Sequence, residues 1–289
     1  RHAARNGRVN ILLTGAAGQL GRELQPLLDR FGTVFSVDRA FPEGASRGTA
    51  LDLGDFTAVD ALLHDVRPEW IVNAAAYTAV DAAEDEPETA HRINGELPGR
   101  LARYANENDA FLLHYSTDYV FDGKKPRTYR EGDEASPLNV YGASKLEGEK
   151  AVTRSGCRHV TLRTSWVYSG HGNNFVLTML RLAKSHRELR IVDDQVGRPT
   201  WARNLASASA MLLDRVMGES GDPDVLGVYH YCDREAVSWC EFARAIFDVA
   251  KESGLLGNTP AVEAIASEDY PQKSLRPGFS VMDTSFIER

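Results

Sequence analysis

A chain of 289 residues, 43% of them hydrophobic, can bury a full core as one large domain or two modest ones, which excludes intrinsic disorder. Its formal net charge of -8 offers no basic field for nucleic acid, so an anionic substrate has to be held by local cations. Three cysteines with no CxxC pair argue against a disulfide framework or a thiolate zinc site and fit a reducing cytoplasm, and no apolar run approaches the roughly 18 residues of a membrane span.

Val9–Thr14 (VNILLT) reads as a short strand, and residues 18–31 then carry Leu20, Leu24, Leu27, Leu28 and Phe31 at helical spacing. The order strand, turn, helix repeats: TVFSVD as a strand, FTAVDALLHDV as a helix, EWIVNAAA as a strand, and a helix across 88–106. FLLHYS is a further strand, uninterrupted by charge and poorly alternating, as in a buried parallel sheet. A polar loop over 123–137 leads to a helix over 139–154, started by Pro137, and VTLRTSWVY is the next strand. Such alternation calls for right-handed crossovers and a parallel sheet covered on both faces. The predicted class is therefore α/β, a Rossmann-like doubly wound parallel sheet over residues 8–168. Beyond Ser169 the rhythm loosens into a helix over 174–185, the loop DDQVGRPTW, a helix over 202–217, the strand GVYHY and a helix over 238–253. Residues 169–289 read as a smaller, mainly substrate-binding lobe interleaved with the last sheet elements.

The first strand ends in TGAAGQLG, which sets Gly15, Gly18 and Gly21 at three-residue spacing before a helix. Glycines there permit a tight turn, close approach of a pyrophosphate to backbone N–H groups, and close packing of helix on strand. Asp38 ends the second strand, where an acid binds the ribose hydroxyls of an adenosine; a loop or N-cap acid is the plainer alternative. An acid there favours NADH, while the neighbouring Arg39 suits adenine stacking or a 2'-phosphate, so NADPH and NADH both stay open. Asp52 and Leu53, in TALDLGD, are placed to close over the adenine edge.

Of the ten tyrosines only Tyr141 has a lysine, Lys145, four residues later. That spacing puts phenol and ammonium on one helix face, where the ammonium is expected to lower the phenol's pKa toward that of a working general acid and to hold nicotinamide ribose hydroxyls. A solvated lysine beside a half-buried tyrosine is the plainer alternative. Thr117 ends FLLHYST at the C-terminal edge of the sheet, where ligands bind in open α/β folds, and its hydroxyl can hydrogen-bond a substrate carbonyl. Asp118 is either a loop cap or a substrate neighbour.

With GxxGxxG, a threonine before the sugar site and YxxxK, the chain resembles the extended short-chain dehydrogenases/reductases. Within that family GQLGREL, NAAAYTAVDAAE, STDYVFDG, YGASKLEGE, RTSWVY, DDQVGRPT and RPGFSVMDTS resemble the branch acting on dTDP-linked 4-keto-6-deoxyhexoses, over nearly the whole chain. The resemblance implies reduction of the 4-keto group of dTDP-4-dehydro-L-rhamnose to dTDP-L-rhamnose by NADPH or NADH, for cell-surface polysaccharide. It implies Thr117, Tyr141 and Lys145 as the catalytic trio and Trp166 as a sugar contact. Gln19, Leu20, Asp38, Asp52, Leu53, Ala74, Ala75, Ala76 and Tyr77 would line the cofactor. Asn174, Phe175 and Arg198 are further substrate candidates, Arg198 because a guanidinium fork suits a diphosphate, a solvated arginine being the alternative.

Some members of the family hold a metal with acidic residues at a dimer interface. Glu23 matches one of these, but Arg203 stands where another would be, and the chain ends at Arg289 soon after DTSFIE, so neither that metal nor that dimer is expected. A start without methionine is compatible with a fused or partner epimerase. Rival readings are a nucleotide-sugar dehydratase or epimerase that recycles its cofactor, and a non-catalytic regulatory subunit with a retained nucleotide fold. The eight histidines make no metal-ligand pair, no GxSxG elbow is present, and Cys157 reads as packing.

Overall fold

The computed structural model describes residues 8–44, 47–217 and 225–288. Its strands are β1 (Val9–Thr14), β2 (Gly32–Asp38), β3 (Thr49–Ala50), β4 (Trp70–Asn73), β5 (Phe111–Thr117), β6 (Arg158–Thr164), β7 (Val167–Tyr168), β8 (Glu188–Val192), β9 (Val196–Gly197), β10 (Thr200–Trp201), β11 (Gly227–His230), β12 (Val237–Ser238) and β13 (Ala261–Ile265). Seven of them form one sheet in the order β11-β6-β5-β4-β1-β2-β3, every neighbouring pair parallel, as the alternation of elements requires. The strand order reverses about β1 and β4, so the crevice outside their C-terminal ends is the place for a ligand.

The helices are α1 (Gln19–Leu28), α2 (Phe56–Val66), α3 (Val80–Ala83), α4 (Pro87–His91), α5 (Leu97–Glu107), α6 (Val140–Ser155), α7 (Phe175–Ala183), α8 (Ala202–Met217) and α9 (Trp239–Glu252). Successive strand residues point to opposite faces, and both faces are apolar. Ile11, Leu13, Leu113 and Leu162 pack with Leu24 and Leu28 of α1 and Leu205 and Leu213 of α8. Leu12, Ile71 and Leu112 meet Leu63 of α2, Leu101 of α5 and Val152 of α6, with Cys157 as a packing residue of the same layer. Each such leucine or isoleucine contributes roughly 1.5–3 kcal/mol of burial. A third cluster joins Met179 of α7, Leu189 and Ile191 of β8, and Phe247 of α9.

Besides short strands that the sequence reading did not anticipate, three departures from it shape the site. The helix over 88–106 is interrupted by a π-helical turn over Arg92–Glu96. There α6 lies so close that a Cβ on Gly148 would stand 2.1 Å from the Asn94 carbonyl oxygen. The strand read over 160–168 breaks, because Trp166 takes a left-handed backbone (φ 47°) and turns the chain out of the sheet to pair β7 with β10. Finally, ELRIV forms β8 and pairs in parallel with β13, a two-stranded sheet whose weak, half-exposed pattern carries little signal.

Candidate active site

Gly15 has a φ of 68°, and a Cβ on it would lie 2.6 Å from the backbone of Ala74 and Ala75; a Cβ on Gly21 would lie 2.1 Å from the Gly15 carbonyl oxygen. The turn thus rests directly on α1 and on the loop after β4. Gly18 begins α1 in extended conformation without a side-chain cap, leaving the helix's first N–H groups to an anion. This cradle fits a dinucleotide pyrophosphate. Asp38 is locked beside it, Oδ2 accepting the Ala17 N–H at 2.9 Å and Oδ1 the Arg39 N–H at 2.7 Å. Each carboxylate oxygen keeps acceptor capacity for a ribose hydroxyl. A cleft of about 370 Å³ opens beside Ala16 and Ala17, walled in part by Arg22 and Arg47.

Asp52 caps its own turn by accepting the Gly54 N–H at 2.8 Å, and Leu53 is buried in the core next to it. After β4, Ala74 and Ala75 donate their N–H groups to the carbonyl and hydroxyl of Thr14, and the half-buried run continues through Ala76 to Tyr77. Tyr77 is clamped through its backbone: Asn94 Oδ1 accepts its N–H at 2.9 Å and Asn94 Nδ2 donates to its carbonyl at 2.9 Å. Asn94 Nδ2 also donates to the Ser144 hydroxyl at 3.0 Å, tying this loop to α6. The sequence reading missed Asn94. An Asn-Gly pair inside an otherwise helical pattern was the available signal.

Thr117 ends β5 as a buried residue, and Tyr141, in the first turn of α6, hydrogen-bonds it, while Lys145 stands one turn further along the same helix. Asn139 caps that helix through the Gly142 N–H (2.7 Å) and donates to the Leu275 carbonyl (2.7 Å). A Cβ on Gly142 would lie 2.1 Å from the Tyr119 carbonyl oxygen, so α6 presses onto the short turn after Thr117. The Tyr141 ring meets Tyr119 edge-on at 5.6 Å. Lys145 Nζ donates to the Tyr115 carbonyl at 2.6 Å.

The electrostatics correct one expectation. Burial pushes the Tyr141 phenol up to about 12; a hydrogen bond with Thr117 lowers it, and the Asp118 charge raises it further. Lys145 itself is lowered to about 8 by burial, against the opposing pull of Glu149. The phenol is therefore raised by loss of solvent, not depressed by the lysine as expected. Asp118 is buried too, pushed up to about 7 by desolvation, while Ser280 (2.5 Å) and Thr117 (3.1 Å) donate to its two oxygens.

The remaining candidates surround this centre. Asn174 caps α7 and donates to Gln19 Oε1 at 2.8 Å, an oxygen that also accepts from Ser169 at 3.1 Å, so the phosphate turn is joined to the segment leading into α7. Leu20 packs against the core beneath that turn. Trp166 stacks on Trp239 with centroids 3.5 Å apart, and Phe175 packs on the same Trp239 at 4.6 Å. Neither Trp239 nor Ser280 was singled out from sequence: Trp239 lies outside every motif, and Ser280, though inside RPGFSVMDTS, meets Asp118 only through a contact 162 residues apart in the chain. Arg198 lines a cleft of about 420 Å³ with Arg234, Thr128, Thr284, Asp283 and Glu288, and its buried Nε has no hydrogen-bond partner within the protein.

Glu23 faces Arg203 Nε at 3.3 Å and His171 Nε2 at 3.4 Å. Among the described residues no group of three or more His, Cys, Asp or Glu is placed to hold a metal, and no helix is long and apolar enough to cross a membrane.

A family model described as the RmlD substrate binding domain matches residues 9–289. The dTDP-4-dehydrorhamnose reductase of Salmonella typhimurium is 41% identical over 284 residues, covering 97% of this chain and 91% of the relative. A solved structure of dTDP-4-dehydrorhamnose reductase from Bacillus anthracis in complex with NADP is 32% identical, with a TM-score of 0.83 over 97% of this chain and 92% of that one. The corresponding protein from Clostridium acetobutylicum is 36% identical, with a TM-score of 0.85 over 96% and 91%.

Proposed function

The chain belongs to the RmlD substrate-binding-domain family, that of the dTDP-4-dehydrorhamnose reductases, and from this we propose that it reduces the 4-keto group of dTDP-4-dehydro-L-rhamnose to dTDP-L-rhamnose with NADPH or NADH. The observation that carries the reading is a hydroxyl pair, buried Thr117 at the end of β5 and half-buried Tyr141 hydrogen-bonded to it, with buried Lys145 one turn further along α6, in a parallel sheet whose first strand ends in a glycine cradle.

The nicotinamide supplies a hydride when bound. Gly15, Gly18, Gln19, Leu20, Gly21, Asp38, Arg39, Asp52, Leu53, Ala74, Ala75, Ala76 and Tyr77 would hold the cofactor, with Tyr141 and Lys145 at its reactive end. With its phenol near 12, Tyr141 keeps its proton across neutral pH and gives it to the substrate's ketone oxygen as negative charge develops there. Thr117 would orient that oxygen by turning its one hydroxyl proton from Asp118 to the ketone, and the Lys145 ammonium stabilises the phenolate left behind. Asp118, Trp166, Asn174, Phe175 and Arg198 would receive the sugar and its diphosphate. Residues 8–168 then form the cofactor-binding part and 169–289 mainly the substrate lobe. The substrate would come from a partner or fused epimerase in the cytoplasm, where three free, buried cysteines stay reduced.

The test is to supply dTDP-4-dehydro-L-rhamnose with NADPH and then NADH and follow cofactor oxidation. Net oxidation is expected, and Tyr141→Phe should abolish it while cofactor binding persists. No oxidation with either cofactor would move the protein to a binding role, and bound cofactor recycled without net consumption to an epimerase or dehydratase.

A further inference from the structure

Lys145 and Glu149 lie one turn apart on the same face of α6, and both are buried, at 2% and 4% exposure. Both oxygens of Glu149 are held by Arg163 of β6, whose Nε donates at 2.9 and 3.2 Å and Nη2 at 2.7 Å. Arg163 is itself 6% exposed and lies over the Phe121 ring at 5.2 Å. Its Nη1 donates to the Glu131 carbonyl at 3.3 Å and stands 3.4 Å from His230 Nε2. A guanidinium fork held on this many sides cannot swing, and the carboxylate it grips is fixed with it.

An ammonium stripped of water survives as a charge only beside negative charge or well-placed acceptors. We propose that Glu149 is a positioning residue for the reduction: gripped by Arg163, it sets a fixed negative charge one turn below Lys145 and keeps that ammonium charged and seated on the Tyr115 carbonyl. The inference rests on the role given to Lys145 above.

Other groups around α6 do not supply this charge. His114 of β5 is neutral, held well below its ordinary value by burial and by Lys145, with His159 of β6 acting in the same sense. His230 of β11 is pushed down to about 3 by burial and by Arg163. Asp118, in the turn after β5, acts on Tyr141 and is tied to Ser280. Glu147 pairs with His91 of α4, Glu84 beside α3 accepts the Val140 N–H, Arg100 of α5 pairs with Asp60, and Asn94 of the π turn bonds Ser144. Glu149 is the group that opposes the effect of burial on Lys145.

The pH dependence of kcat/KM tests this on the full chain. Activity requires charged Lys145 and falls as pH rises through its pKa. Glu149→Gln keeps the shape and removes the charge, so the alkaline limb should move down by about 1 pH unit. Glu149→Asp keeps the charge in a shorter side chain, so its limb should stay near the wild type even where its melting temperature drops. A pair that merely staples helix to strand predicts the reverse: the shorter side chain does the greater damage and neither variant moves the limb. Because Glu149→Gln leaves Arg163 unpaired, the double variant Glu149→Gln/Arg163→Met serves where the single one does not fold, and its limb should also lie below the wild type. An unmoved limb in a folded, charge-free variant, or a displaced limb in Glu149→Asp, overturns the proposal. Absence of turnover in the wild type is instead failure of the reductase reading.

Discussion

Asp118 is the residue where chemistry and stability meet. Its carboxyl shares one small network with Thr117 and Ser280, and Thr117 in turn accepts the Tyr119 N–H at 3.2 Å. Folding raises its pKa from an ordinary 3.8 to about 7, because burial strips the carboxylate of water more than the two hydroxyls restore. The folded state therefore binds this proton more tightly than the unfolded one. The stabilisation is complete below about pH 4 and is lost as pH rises through about 7, by up to roughly 4 kcal/mol. Urea midpoints at about pH 5 and about pH 8 should show it: from the lower to the higher pH, the midpoint of Asp118→Asn, which cannot ionise, should shift upward relative to that of the wild type. Equal shifts in both proteins would mean that Asp118 is solvated in solution. That Tyr141 and Lys145 share one helix was legible from sequence, but the direction of the phenol's shift was not, since desolvation depends on what every other element brings over the site.

Elements set the geometry that residues alone cannot. The glycine turn works because β1, the loop after β4 and α1 converge until no Cβ fits between them. Gly21→Ala would place a methyl group 2.1 Å from the Gly15 carbonyl oxygen, so turn or helix must shift. The variant is expected to lose roughly 1–3 kcal/mol of stability and most of its affinity for NADPH, read by thermal denaturation and a fluorescence titration. Retained affinity would show that the turn does not seat the pyrophosphate. Asn94 is the converse case. Its position falls inside the helix expected over 88–106, and the π turn found there, against which α6 packs at Gly148, places its amide on both backbone groups of Tyr77. Trp166 likewise reads as a strand residue until its left-handed backbone lays the ring across Gly197, where a Cβ would stand 2.5 Å from the indole.

At the scale of the whole molecule, two buried histidines make the fold sensitive to acid. His230 ends β11 beside Arg163 of β6 and Glu131, pushed down to about 3 by burial and Arg163, and His114 sits inside the sheet well below its ordinary value. Both are neutral when folded and take up protons on unfolding below about pH 6.5, so stability falls as pH drops through that value toward 3. The slope opposes that of Asp118 over part of the range. Denaturation midpoints taken from about pH 7 down to about pH 4 should fall, and should fall less steeply in His230→Gln. A variant as steep as the wild type would place the acid sensitivity elsewhere.

What the sequence determined by itself was whatever repeats or clusters locally. The alternation of apolar strands and helices dictated a parallel sheet with both faces covered, and the glycine spacing, Asp38, Thr117 and the Tyr141–Lys145 pair marked the crevice at its C-terminal edge. These signals are legible because hydrophobic period and backbone freedom act between near neighbours along the chain. Tertiary structure alone decided the rest. Asn94 meets Tyr77 and Ser144, Ser280 meets Asp118, Trp239 meets Trp166, and Arg163 grips Glu149 beneath Lys145. Each of these contacts joins residues with no periodic relation in sequence, and each exists because packing brings distant segments together and excludes the water that would otherwise satisfy them.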